Sequence, residues 1–322
     1  MSDTDWQTEF SAAVTDTNVL CRHLDVPAVN VETGYPLLVP KPFIQRMETG
    51  NPNDPLLLQV LPQPEELQET IGFSADPLNE SAAGTNGILI KYPHRALVLA
   101  SPHCGIHCRF CFRRCQYPFH FPHTFPFQQK NEADILMPLH RIQDGGIEEI
   151  ILSGGDPLMF GDERLSEICQ HIIQMPNIKR LRIHSRLPIV LPSRITPQLN
   201  AVLDLPIPVY LVLHVNHPNE LNDAFVQHRR LLRSPVLLSQ TVLLRRINDD
   251  IETLAKLFTA LTDIGIVPYY LHQLDKIQSA AHFEVSIETG CRLIKQLRSR
   301  LSGYAVPRYV REVAGASCKE IL

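Results

Sequence analysis

From Ala96 to Leu301 the chain alternates short apolar runs with longer amphipathic stretches. Ala96–Ala100, Glu149–Leu152, Arg180–Ile183, Val209–Leu213, Val236–Leu243 and Ile266–Leu271 are compact, aliphatic and rich in β-branched residues, which predicts strands. Glu132–Asp144, Asp162–Met175, Pro192–Leu203, Glu220–Leu232, Asp250–Ile264 and Val285–Leu301 carry apolar residues at helical spacing and predict helices, with Asp162, Ser193 and Asp249 as N-cap candidates. Six β–α units in series predict a parallel α/β architecture. Residues 1 to 90 lack this rhythm. Short helical candidates (Asp5–Ala13, Asn18–Leu24, Lys41–Thr49, Glu65–Thr70) sit among Pro36, Pro40, Pro42, Pro52, Pro55, Pro62 and Pro64, and predict a mostly helical cover over one face of the main domain.

A doubly wound sheet and a partial (β/α) barrel both fit such a series. The polar residues discriminate, because barrel chemistry collects at the C-terminal ends of the strands. A cysteine-rich loop follows the first predicted strand, and Ser153-Gly154-Gly155-Asp156 the second. His184-Ser185-Arg186 follows the third, His214 and Asn216 the fourth, and Gln273 and Asp275 the sixth, while Gln240 lies inside the fifth. A doubly wound sheet gathers its ligands at one switch point instead. The distribution therefore predicts a barrel mouth.

Composition narrows the classes. A chain of 322 residues, 44% hydrophobic, has length for one large or two ordinary domains and a sizeable core. A net charge of −4 gives no electrostatic basis for binding bare nucleic acid. No run approaches the ~18 apolar residues of a membrane span. The acidic opening Met-Ser-Asp-Thr-Asp-Trp-Gln has no signal-peptide core. Eight cysteines in no paired pattern predict a reducing, cytoplasmic setting rather than a disulfide framework.

Three of them, Cys104, Cys108 and Cys111, form a C-x3-C-x2-C triplet in the stretch Ser101 to Arg114. Thiolates are the ligands of iron–sulfur clusters. Three of them hold three irons of a cubane and leave the fourth iron open to a small molecule. The alternative is a structural zinc ion with His103 or His107 as fourth ligand, although zinc sites more often use two paired motifs. On that alternative the chain is a zinc-stabilised binding protein without catalysis.

The triplet, with Phe110 before its last cysteine, resembles the signature of the radical S-adenosylmethionine (SAM) superfamily. Lys91-Tyr92-Pro93-His94-Arg95, Cys104–Arg114, Leu152–Pro157, His214–Glu220, Gln240–Asn248 and Tyr304–Lys319 together resemble the lysine 2,3-aminomutase family over about residues 85 to 319, and within it the short branch that serves elongation factor P (EF-P). The resemblance implies a partial (β/α)6 TIM-type barrel over residues 91–304, a C-terminal segment 305–322 bearing the cofactor lysine, and three cofactors. A [4Fe-4S] cluster falls on Cys104, Cys108 and Cys111. SAM falls on Ser153, Gly154, Gly155, Asp156 and His214. Pyridoxal 5′-phosphate (PLP) falls on Lys319 as its Schiff-base lysine, with Lys91, Arg95 and Gln240. Arg113 is implied for the substrate carboxylate, and Asp275 and Glu312 for the distal ammonium. The implied reaction turns (S)-α-lysine into (R)-β-lysine, with a functional link to EF-P and its lysyl ligase; a homodimer is left open. A free amino-acid mutase with another substrate is the second enzymatic reading.

Several of these residues also have plain structural readings. Gly154-Gly155 suits an ordinary β–α turn, Lys91, Arg95 and Arg113 suit surface charges, Asp275 suits a loop carboxylate, and Lys319 suits a solvated tail charge. The sequence departs from the family pattern at Lys319-Glu320-Ile321, where Lys-Thr-Pro is usual, and at Glu312, where free-lysine mutases have aspartate.

Overall fold

The computed structural model describes residues 6–80, 87–115, 139, 142 and 146–322. A nine-stranded sheet forms its centre: β1 (Ile88–Tyr92), β2 (Arg95–Ser101), β3 (Glu149–Gly154), β4 (Arg180–Ser185), β5 (Val209–His214), β6 (Val236–Val242), β7 (Val267–His272), β8 (Arg308–Arg311) and β9 (Glu320–Ile321). The spatial order is the chain order, β1 through β9. Neighbours from β2 to β8 pair in parallel, and only β1 and β9 join antiparallel at the two edges. A doubly wound sheet reverses its order at a switch point. Here the order never reverses, so each strand adds on the same side of the last, as in a barrel. Among the described strands the two edges do not pair, and the barrel stays open.

All six predicted strands are present within a residue or two of their expected ends. The connecting helices Asp162–Ile173, Pro197–Val202, Asp223–Arg229, Ile251–Asp263 and Ile287–Arg300 pack their apolar stripes on the outer face. Leu165, Ile168, Cys169 and Ile172 recur at helical spacing and are fully buried against strand residues such as Ile150, Leu152, Leu181 and Ile183. The predicted helix Glu132–Asp144 lies outside the described residues except for Leu139 and Ile142, both buried.

The helix starts differ from expectation. Asp162 is the first helical residue after Gly161, and its carboxylate pairs with Arg194 at 2.8 Å. The predicted Pro192–Leu203 helix splits, because Thr196 caps a new helix by accepting from the Leu199 amide; Ser193 instead donates to Glu9. Asp250, not Asp249, caps the next helix, since its side chain reaches the Thr253 amide at 2.9 Å while Asp249 accepts from Arg246.

The segment before the sheet carries short helices at Trp6–Ser11, Thr17–Leu24 and Lys41–Ile44 and a 3-10 turn at Pro64–Leu67, with long turns between them. It braces the cysteine loop. Glu66 is fully buried and binds two arginines of that loop: Arg109 Nε at 2.8 Å and Arg114 Nη2 at 2.7 Å. Removing the carboxylate leaves two buried guanidiniums without their counter-charge. Glu66→Ala is expected to cost about 3–5 kcal/mol in denaturant unfolding. A loss below about 1 kcal/mol would show that the pair is not buried in solution.

Candidate active site

The C-terminal strand ends open onto a cavity of about 390 Å3, a size typical of small-molecule sites. Asn216 and Gln273, expected at the mouth, are buried outside its lining, but every residue assigned to a cofactor or the substrate lies on its wall: Lys91, Arg95, Cys104, Cys108, Cys111, Arg113, Ser153, Gly154, Gly155, Asp156, His214, Gln240, Asp275, Glu312 and Lys319. The two histidines considered as zinc ligands do not. His107 Nδ1 meets the Pro36 carbonyl at 3.0 Å and its ring packs on Tyr35. Among the described residues no three His, Cys, Asp or Glu side chains converge as on a single metal ion.

The cysteine loop follows β2. It is held by Arg109 N–H to Gln59 carbonyl (2.9 Å), His107 N–H to Leu38 carbonyl (3.0 Å) and the Glu66 pairs described above. Burial pushes the Cys104 thiol far up and the Cys111 thiol to about 11, and neighbouring sulfurs add to both rises. Burial also raises Cys108, but the adjacent Arg186 pulls it part of the way back. Three thiols that resist ionising alone suit a ligand set whose protons leave when iron arrives. The donor set therefore fits a cluster.

The loop after β3 serves this packing directly. Gly154 has φ +109, and a Cβ there would lie 2.7 Å from the Ser101 carbonyl oxygen; one on Gly155 would lie 2.2 Å from that of His103. The expectation was that these glycines admit a ligand. The structure puts the backbone of the cysteine loop against them, so they let that loop approach. Asp156, also expected at SAM, directs both oxygens to protein donors: Ser185 Oγ (2.7 Å) and the amides of Leu158, Arg186 and Leu187 (2.8–3.0 Å). It ties the loop after β4 to the loop after β3. His214, at the end of β5, bonds the Asn216 side-chain oxygen at 3.1 Å and lies 5.6 Å from the Phe110 ring. Burial keeps it neutral. Gln240 pairs with it across β6.

The opposite wall is ionic. Lys319 is not a free tail charge. The chain turns back after β8 and pairs as β9, fastened by Arg311 Nε to Glu320 at 3.0 Å. This delivers the Lys319 ammonium to Glu312, and 5.9 Å from the Tyr270 ring. Glu312 also accepts from Tyr92 Oη at 2.9 Å and lies 3.8 Å from Lys91. Burial would raise the Glu312 carboxyl, but Lys319, Lys91 and the Tyr92 hydroxyl together outweigh it and the net shift is downward. Expected at a substrate ammonium, Glu312 here binds the lysine of its own chain.

Arg113 was expected to face a substrate carboxylate. It is already held by one. Glu80, nearly fully buried, meets Arg113 Nε at 2.7 Å and Nη2 at 3.2 Å, and its other contact is Lys91 Nζ at 3.0 Å. Glu80 lies in the segment read as a cover and carries no local signal of this role. Arg95 stacks over Tyr92 at 4.6 Å. Asp275 differs from the other carboxylates: its side chain makes no hydrogen bond or ion pair with the described residues. Desolvation raises it to about 7, with Lys319 pulling the other way. His272 beside it is neutral, lowered to about 3 by burial and by Lys319. The His184 Nε2 atom is buried without a hydrogen-bond partner among the described residues.

An open, monotonic α/β barrel with a three-cysteine loop after its first parallel strand defines an iron–sulfur protein of the radical SAM type. The family model described as "4Fe-4S single cluster domain" matches residues 94–183. The chain is 43% identical to the L-lysine 2,3-aminomutase of Escherichia coli K12, covering 98% of this chain and 93% of that one. The Haemophilus influenzae L-lysine 2,3-aminomutase is 40% identical over 98% and 95% of the two chains. This chain belongs to the L-lysine 2,3-aminomutase family, whose members are isomerases. A radical SAM methyltransferase from Sphaerobacter thermophilus overlaps 71% of each chain at TM-score 0.47 and 18% identity, too loose to add to this. Among the described residues no helix is long and apolar enough to cross a membrane.

Proposed function

We propose that the chain is a SAM- and PLP-dependent aminomutase that converts (S)-α-lysine to (R)-β-lysine for the modification of EF-P in the cytoplasm. The observation that carries this reading is the meeting of Cys104, Cys108 and Cys111 with Lys319 on the wall of a single cavity. The names of the full-length relatives support the substrate. When bound, the cluster and SAM would supply a carbon-centred radical able to remove hydrogen, and PLP would supply a conjugated ring able to delocalise an unpaired electron.

The chain's own residues then have separate duties. Cys104, Cys108 and Cys111 hold iron. Ser153, Gly154, Gly155 and His214 border the SAM region, and Asp156 holds that border rigid. Lys319 anchors PLP, with Lys91 and Arg95 as cations for its phosphate and Gln240 beside it. Arg113, oriented by Glu80, receives the substrate carboxylate. Asp275 receives the ε-ammonium. Glu312 holds the Lys319 ammonium before PLP binds, and is the second carboxylate for the ε-ammonium once Lys319 is bound to PLP. The enclosing wall keeps water from the radicals.

Asp275 makes this reading testable by pH. Its carboxyl, raised to about 7, is neutral below that pH and attracts no cation. Lysine binding is therefore expected to strengthen as pH rises through 7, and to weaken by up to about tenfold per unit below it. Asp275→Asn flattens that dependence and lowers affinity at pH 8 by roughly two to three orders of magnitude, the ~3–5 kcal/mol of a broken buried pair. Calorimetric titration of the PLP-loaded protein with lysine reads both. A glutamate-type substrate needs the reverse, a cation where Asp275 stands.

The EF-P link is tested by offering the reconstituted protein free lysine and lysine already attached to EF-P. Turnover of free lysine alone puts the isomerisation before the ligase. Turnover of neither overturns the proposed substrate.

A further inference from the structure

Arg186 follows β4 and reaches the cysteine loop. Its Nη1 donates to Cys108 Sγ at 2.7 Å, and its Nη2 donates to Gln59 Oε1 at 2.6 Å and to Glu220 Oε2 at 3.1 Å. The guanidinium is 6% exposed and lies 5.6 Å from the rings of both Phe43 and Phe110. Its Nε has no hydrogen-bond partner among the described residues. Its backbone is fixed as well, since the Arg186 and Leu187 amides both donate to Asp156 at 2.8 Å.

Glu220 is fully buried and equally constrained. Its Oε1 accepts from the amides of Asn216 and His217, each at 3.0 Å, and from Gln59 Nε2 at 3.2 Å. A buried ion pair of this kind is a poor way to stabilise a fold, because desolvation offsets most of the attraction. An arginine with one arm on a cysteine sulfur and the other on a fixed carboxylate does have an electrostatic use. Hydrogen bonds to ligand sulfurs and nearby charge set the potential of an iron–sulfur cluster.

We propose that Arg186 is a positioning residue that sets the reduction potential of the cluster on Cys104, Cys108 and Cys111, with Glu220 as its electrostatic counterweight. The inference rests on the cluster reading above but not on the identity of the substrate. The couple is a one-electron step: an external reductant gives up one electron, the cluster takes it, and no proton or bond to the protein changes. The reduced cluster carries one more negative charge than the oxidised one. A guanidinium on a ligand sulfur stabilises the reduced form more and raises the potential. The Glu220 carboxylate opposes this.

The test is a redox titration of the reconstituted holoprotein with dithionite and mediators, followed by the electron paramagnetic resonance of the reduced cluster. Arg186→Gln is expected to move the midpoint at least tenfold against reduction, about 59 mV for one electron. Arg186→Lys, which keeps the charge, recovers part of the shift. Glu220→Gln, which removes the opposing charge, moves the midpoint the other way. An unchanged midpoint in a fully iron-loaded Arg186→Gln overturns the proposal. So does an equal shift in the Gln and Lys variants, which marks lost packing rather than lost charge. Should Arg186→Gln load no iron, the sign of the Glu220→Gln shift decides. A wild-type protein that forms no cluster overturns the functional reading and this inference together, whereas a normal cluster insensitive to both residues overturns this inference alone.

Discussion

Alanine at any one of Cys104, Cys108 or Cys111 is expected to reduce cluster iron to background and abolish SAM cleavage, while leaving the protein folded. The reason lies in how the loop is built. Its backbone is fixed by hydrogen bonds to Gln59 and Leu38, and its arginines by buried Glu66, so its shape does not depend on metal. The sulfurs are the variable part. A cubane on three thiolates loses a corner when one is removed, and no fourth cysteine lines the same wall except Cys318 near Lys319, far along the chain. Iron and sulfide analysis with circular dichroism reads the two halves of the prediction. A variant that is unfolded would mean that the loop needs metal to form, as structural zinc sites do. A variant that keeps its iron would remove these cysteines from the ligand set.

The second large effect concerns Lys319. In PLP-loaded protein, borohydride is expected to fix the cofactor covalently to the chain. Lys319→Ala abolishes that fixation and lowers turnover by at least about a thousandfold, in the range seen when a group that forms a covalent link is removed. Lys319 is carried by a two-strand return held at Arg311–Glu320, and its ammonium lies on Glu312 inside the cavity. Lys91 is the competing amine on the same wall, but Glu80 binds it at 3.0 Å. Peptide mapping of the fixed cofactor separates the two. Label on Lys91 would contradict the assignment.

Much of this site was legible before the structure because barrel chemistry is collinear with the chain. Short apolar runs alternating with amphipathic stretches made β2 to β7 stand out. β1 and β8 did not, since Ile-Leu-Ile-Lys-Tyr and Arg-Tyr-Val-Arg mix polar and apolar positions as edge and end strands do. β9 is two residues long and has no pattern of its own. Without β8 and β9 the sequence offered no way to see that Lys319 is carried back into the cavity, and a solvated tail was a fair reading.

Polar side chains that meet across the chain were the other blind spot. Glu80 lies 33 residues from Arg113, and Gln59 lies 127 from Arg186. No periodicity connects such pairs. They become visible only when a segment with little regular structure is packed against the barrel mouth. The glycines after β3 illustrate the converse. Gly154 and Gly155 were expected at SAM, but a sequence cannot say whether the group that approaches such glycines is a ligand or, as here, the His103 carbonyl.

The proposed function unites iron–sulfur radical chemistry and PLP-bound lysine in one cavity. Its most direct test is an anaerobic assay of reconstituted protein with SAM, PLP, dithionite and (S)-α-lysine, run complete and with each component omitted, with β-lysine resolved by chirality. (R)-β-lysine formed only in the complete mixture is the predicted result. SAM cleavage with a loaded cluster but no β-lysine would contradict it.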